Sequence, residues 1–232
     1  MSLLVRTWNL FHGNAVPPVR RSFVREALAL ATSGRPAVVC LQEVPVWTLP
    51  RLEEWSGMQT FPAIARRGLR PAGLAGWLTR LHNGLFRSLL TGQANAVLVA
   101  HEHAAEGLGA VSVSARGSER RVCQAVRVDG RLLVGNTHLS SPADTGHQVD
   151  ELDRCVAFLE GLAREGEPIV LAGDLNHSRP ALDRFSPGLD GVDHVLVRGA
   201  TTGPAHVWPR GERTVDGRVL SDHAPVEVVV ET

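Results

Sequence analysis

Residues 168–178 read PIVLAGDLNHS. Ile169, Val170 and Leu171 have the composition of a buried strand, and Asp174, Asn176 and His177 crowd onto its end. A strand needs none of these, and a carboxylate withdrawn from water is costly unless something pairs with it. Turn chemistry would explain one such place. The same juncture recurs, however. Asn9 ends LLVRTWN, Gln42 and Glu43 end AVVCLQE, and Asn136 and His138 lie at the end of RLLVGNTH. Asp193 opens DHVLV, and Asp222 and His223 stand just before APVEVVV. Polar groups gathered where apolar strands meet loops are arranged as catalytic groups usually are.

The residue types are chemically coherent. Glu43 and Asp222 are hard oxygen ligands suited to Mg²⁺ or Mn²⁺. Asp174 and Asn176 are two apart, so in an extended segment they point the same way. One can deprotonate a water while the other orients it or holds a phosphate oxygen. His138 and His223 can donate to a phosphoryl oxygen or exchange protons near neutral pH. Asp193 can fix the tautomer of a histidine. The sequence has no GxSxG, P-loop or HExxH motif, so no competing nucleophile, nucleotide or zinc chemistry is indicated.

Short, Val- and Leu-rich segments must position these groups. Strands are expected at 2–8, 37–42, 94–100, 121–128, 131–137, 168–173, 192–197 and 224–231, most bounded by Gly, Pro or Asp. Asp129-Gly130 predicts a hairpin between the fourth and fifth. A helix is predicted over 18–32, with Val19, Phe23, Ala27 and Leu30 on one face. Another is predicted over 147–164, with Val149, Leu152, Val156, Leu159 and Leu162 inward and Glu151, Asp153, Arg154 and Glu160 outward. Strands and helices mixed in this way, with an antiparallel hairpin, predict two packed sheets with outer helices, or one mixed sheet, in a single domain over 1–232.

Composition narrows the setting. The 232 residues carry 24 basic and 24 acidic side chains, so bulk charge gives no argument for a nucleic-acid partner. All basic residues are Arg, and Tyr is absent. Cys40, Cys123 and Cys155 are far apart among apolar residues and read as core packing rather than a disulfide or metal framework. The opening MSLLVRTWNL is too quickly polar for a signal peptide, and no run approaches a membrane span. A cytoplasmic location is expected. The stretch 55–101 holds Arg66, Arg67, Arg70, Arg80 and Arg87 without an acidic residue. Within it, 73–90 mixes Leu, Trp, Phe and Arg. It reads either as an ordinary surface helix or lid packed on the domain, weakened by Gly76 and Gly84, or as a basic amphipathic contact for a nucleic-acid backbone or lipid headgroup.

Taken in order, TWN, LQE, NTHL, GDLN, VDHVLV and SDHAPV resemble the endonuclease/exonuclease/phosphatase superfamily over about residues 3–230. The resemblance implies a DNase I-like α/β four-layer sandwich: two mixed, mostly antiparallel sheets flanked by helices. It implies in-line attack of an activated water on a phosphoester, with Mg²⁺ or Mn²⁺ as cofactor. Glu43 would be the main metal ligand and Asp222 a second. Asp174 would activate the water, with Asn176 as its partner. His223, held by Asp193, would contact the scissile phosphate, and His138 would face it across the site. Asn9 and, with less support, Asn95 would bind substrate. His12, after Asn9, is near enough to reach it. Abasic-site endonucleases resemble one another in a WNxNGxR opening and a site Tyr; WNLFHG and the absence of Tyr set this chain apart. His138 is more similar to the DNase I, sphingomyelinase and phosphatase branches. A nuclease or phosphodiesterase is the leading expectation, with DNA or RNA as substrate. The alternatives are a lipid or small-molecule phosphodiesterase that touches membranes through 73–90, and a catalytically dead binding module. No obligate protein partner is inferred.

Overall fold

The structure is a computed structural model that describes residues 1–67, 92–115, 118–141 and 147–232. The segment 73–90 therefore lies outside the described residues, as do Arg70, Arg80 and Arg87.

In chain order the strands are β1 (Ser2–Asn9), β2 (Ala15–Val16), β3 (Val38–Pro45), β4 (Gln59–Arg66), β5 (Gln93–Val99), β6 (Ala105–Ser112), β7 (Val122–Val128) and β8 (Leu132–His138). They continue with β9 (Ile169–Asp174), β10 (Asp193–Arg198), β11 (Thr201–Thr202), β12 (His206–Val207), β13 (Thr214–Val215), β14 (Arg218–Leu220) and β15 (Val226–Glu231). Among the described residues the α-helices are α1 (Val24–Ala31), α2 (Leu52–Ser56) and α3 (His147–Leu162). One sheet runs β11-β15-β1-β3-β5-β4 with β12 also on β15, and a second runs β10-β9-β8-β7-β6. A small ribbon, β13-β14-β2, stands apart.

Alternation along the strands builds the layers. In β3, Val38 and Cys40 face the second sheet, while Val39 and Leu41 face α1 and α2. In β8, Leu132 and Val134 face the first sheet, while Leu133 packs on Leu152, Cys155 and Leu159 of α3. Both faces of each central strand are buried, which is why these strands read as continuous apolar runs. The result is helix, sheet, sheet, helix, as the resemblance implied. Cys40, Cys123 and Cys155 are buried and unbridged.

Each sheet has one parallel pair at its centre: β1 beside β3, and β8 beside β9. Each pair is joined through a helix, α1 or α3, as a parallel connection requires. Their outer neighbours β15, β5, β10 and β7 are antiparallel to them. One rim therefore collects the C-terminal ends of β1, β3, β8 and β9 and the N-terminal ends of β15, β5, β10 and β7.

All eight anticipated strands are present. The edge strands β4 and β6 were not anticipated. Pro62 interrupts the first and Gly107 and Gly109 the second, and edge positions tolerate both residue types. The first helix begins at Val24, not 18, because Phe23 donates its backbone N–H to Gly13 O at 2.8 Å. Its buried face is Val24, Ala27, Leu28 and Ala31. In α3, Val149 is exposed, and Glu151 is buried rather than outward.

Between the sheets, Gln42 Nε2 donates to Asn136 Oδ1 at 2.8 Å and to Thr7 Oγ1 at 3.0 Å. Asn136 Nδ2 donates to the carbonyls of Leu41 and Ala96, each at 3.0 Å. The β3–β5 register shifts between Leu41 and Val44, so Asn136 satisfies carbonyls beside an irregular ladder. Replacing Asn136 by Ala strands several buried groups at roughly 1–3 kcal/mol each, partly offset by relaxation. Urea unfolding should show a loss of about 2–4 kcal/mol for Asn136→Ala; a loss within experimental error would contradict this role.

Candidate active site

Strand register brings the groups of the second sheet into one row. Asp174 pairs with Asp193 on one side and with His138 on the other. Gly173 makes the close approach: a Cβ there would lie 1.9 Å from Thr137 O. Across the gap, Asn9 ends β1 and sits opposite Gln42 in the first sheet. Asn9 Nδ2 donates to Asp174 Oδ2 at 2.9 Å, while Asn9 Oδ1 accepts the Phe11 N–H at 3.0 Å.

The bulge in β3 aims Glu43. Its φ is +51°, a conformation an acidic residue adopts only when its surroundings impose it. Its carboxylate lies 3.1 Å from His12 Nε2. Asn176, at φ +48°, folds back so that its N–H reaches Asp174 Oδ1 at 3.1 Å and its Nδ2 reaches Leu139 O at 3.0 Å. Glu151 of α3 accepts both the N–H and the hydroxyl of Ser140 at 2.8 Å, which secures the loop after His138.

The last loop is fastened to β1. Ser221 donates its hydroxyl to Asn9 O at 2.6 Å and accepts the His223 N–H at 3.1 Å. Trp8 donates its indole N–H to His223 O at 3.1 Å. The His223 ring then meets Asp193 Oδ2 through Nδ1 at 2.8 Å and stands 3.7 Å from Asp174 Oδ2 through Nε2. His138 Nε2 approaches the same Asp174 oxygen at 3.4 Å. Asp222 lies on the outer side of His223, its Oδ1 4.0 Å from Nε2, and is half exposed.

A cavity of about 340 Å³ opens here, lined by Phe11, His12, Glu43, Gln93, Glu119, Arg121, His138, Ser141, Asp174, Asn176 and His223. Asn95 does not line it: its amide is buried and donates to Val122 O at 3.2 Å, bridging the sheets. His177 and His194 lie off the cavity, with His194 fully buried. Arg121, Gln93, Glu119 and Ser141 were missed. Arg121 and Gln93 stand at the starts of antiparallel strands, where an arginine and a glutamine read as ordinary loop residues.

The electrostatics separate the two histidines. Burial works against a charged His223, but the hydrogen bond and charge of Asp193, with Asp174 and Asp222, outweigh it and lift it to about 9. Burial, Arg121, His223 and His12 hold His138 well below the usual histidine range. Glu43 is pushed up to about 7 by burial first and then by Asp174 and Asp222. Asp174 is raised by burial and by Asp193.

The sequence matches the Endonuclease/Exonuclease/phosphatase family over residues 7–223. The chain belongs to that family. Membership brings phosphoester hydrolysis as its general class of reaction. No curated protein sequence is significantly similar to this family member. Solved structures share its fold. An endonuclease/exonuclease/phosphatase from Beutenbergia cavernae is 19% identical with a TM-score of 0.69, covering 99% of this chain and 71% of that one. A functionally unknown conserved protein from Enterococcus faecalis is 16% identical at a TM-score of 0.70, covering 99% of both chains. Truncated TDP2 from Caenorhabditis elegans is 13% identical at 0.68, covering 100% and 98%.

The donor set fits a hard divalent cation. Glu43 offers a carboxylate in the cavity, raised to about 7 by burial and then by Asp174 and Asp222, whereas Asp222 does not line this cavity and opens beside Asp193 and His223 on the neighbouring surface. Asp174, Asp193 and His223 also present ligand atoms within 4.8 Å of one another. There, however, His223 Nδ1 and Asp193 Oδ2 are already engaged with each other.

The raised Glu43 stabilises the fold while protonated, and this contribution is lost as pH rises from its unfolded value of ~4.3 through about 7. His223 acts in the same direction, its contribution declining from ~6.5 through about 9. Each is worth on the order of 1–3 kcal/mol. Thermal unfolding should therefore show Mn²⁺ raising Tm more at pH 8 than at pH 5.5, and Glu43→Gln should abolish the gain. An equal gain at both pH values, or an unchanged gain in the variant, would contradict this assignment.

Proposed function

We propose that the chain is a Mg²⁺- or Mn²⁺-dependent phosphodiesterase that cleaves DNA or RNA by in-line attack of water. The observation that carries this reading is Asp174. It is held on one oxygen by Asn9 and on the other by the Asn176 N–H, with both His138 and His223 approaching it. Burial makes Asp174 a stronger base than a carboxylate in water, while the hydrogen bonds from Asn9 and Asn176 pull the other way and serve to hold it in place.

Asp174 takes one proton from the attacking water as the new P–O bond forms and the bond to the leaving oxygen breaks. His223, charged at neutral pH and oriented by Asp193, donates to the phosphoryl group as negative charge develops. Arg121 Nη1 faces His138 Nδ1 at 3.3 Å. This leaves Nε2 of the neutral ring to carry its hydrogen toward Asp174 and the phosphate. Asn9 and Asn176 orient these groups. Glu43 and Asp222 would hold the cation, which when bound would neutralise charge on the phosphoryl oxygens.

With Mg²⁺ or Mn²⁺ the protein should degrade DNA or RNA, more weakly as salt rises. Asp174→Asn should lower kcat/KM by about 10²–10⁴-fold without changing the far-ultraviolet circular dichroism. Intact nucleic acid together with headgroup release from lipid vesicles would favour the lipid phosphodiesterase reading. No hydrolysis of nucleic-acid, lipid or small phosphoesters would favour a binding module.

A further inference from the structure

Arg121 is the one arginine lining the cavity among the described residues. Its guanidinium is buried, 7% exposed for the residue as a whole. Nη2 donates to Glu119 Oε2 at 3.1 Å, and Nη1 faces His138. Its Nε is buried without a partner among the described residues. The other oxygen of Glu119 lies 3.7 Å from Arg66 Nη1 at the more open rim. Arg66 is paired across the strand register with Gln93, another cavity residue.

Glu119 thus sits between a buried and an exposed guanidinium but leaves one buried donor unmet. An unmet buried donor favours any ligand that can accept from it. A phosphate presents more acceptor oxygens than a carboxylate and can take the Nε–Nη2 edge of arginine bidentately. Among the described residues Arg121 and Arg66 pair with Glu119, and Glu43, proposed to hold the cation, pairs with His12, so the cation and this phosphate need not share one seat.

We propose that Arg121 and Arg66 form a second anion subsite, filled by Glu119 in the free protein and taken in the complex by the phosphate next to the scissile one. The inference rests on the phosphodiesterase reading and names its substrate class: a nucleic-acid strand with consecutive phosphates. A lipid phosphodiester with a single phosphate has nothing to offer this subsite. Glu119 is a specificity residue that the strand must displace.

The test compares the dinucleotide dTpdT with its 5′- and 3′-phosphorylated forms, using Mn²⁺ and the wild-type, Glu119→Gln, Arg66→Ala and Arg66→Lys proteins. One phosphorylated form should show a KM about three- to tenfold below dTpdT at similar kcat. Glu119→Gln should lower that KM further, Arg66→Ala should raise it, and Arg66→Lys should partly restore it, all leaving dTpdT unmoved. Variants that shift every substrate equally would overturn the proposal. Calorimetric titration with inorganic pyrophosphate in EDTA reads the subsite without turnover. Binding should tighten in Glu119→Gln and weaken in Arg66→Ala. That order without cleavage of any dinucleotide would sink the phosphodiesterase reading and keep the subsite; equal binding by all the proteins would sink the subsite.

Discussion

The bond from the Gln42 amide to Asn136 crosses an interface packed mainly with aliphatic side chains. A polar pair inside an apolar gap has few alternative partners, so it fixes how one sheet slides over the other. A slip by one residue would reverse the facing of a whole strand. Because the clasp also satisfies carbonyls beside the β3 bulge, the geometry that locks the sheets is continuous with the geometry that aims Glu43.

From that lock follows a pairing of strand ends. β15 meets β10 through His223 and Asp193, and β1 meets β9 through Asn9 and Asp174. β3 presents Glu43 and β8 presents His138 to one cavity, while β5 and β7 bring Gln93 and Arg121 to its other wall. Neither sheet alone holds the constellation. The two histidines stand near one carboxylate, yet their surroundings drive them apart: three aspartates keep His223 charged, and an arginine and burial keep His138 neutral. Such divergence lets two residues of one type take different parts in proton chemistry.

Much of this was legible in the sequence because the continuous apolar runs of the central strands are short and sharply ended. The residues that close those runs, Asn9, Glu43, His138 and Asp174, and those that lead into them, Asp193 and His223, were found as strand-end chemistry. What escaped depended on strand direction and on the third dimension. Arg121 precedes an antiparallel strand, and nothing local distinguishes it from Arg120. Asn95 resembles a site residue but is spent on a carbonyl across the sheets. Glu151 occupies a helical position that looks solvent-facing, until the Ser140 loop folds over it. Its burial follows from tertiary contact, which helical periodicity does not encode.

The central claim is that side chains from both sheets act on one ion and one phosphate. Anomalous diffraction from crystals soaked in Mn²⁺ tests it most directly. The account predicts a peak bound by the Glu43 carboxylate, in the cavity that Asp174 and His223 share. A peak held only by Asp193 and His223, or none within reach of Glu43, would contradict it.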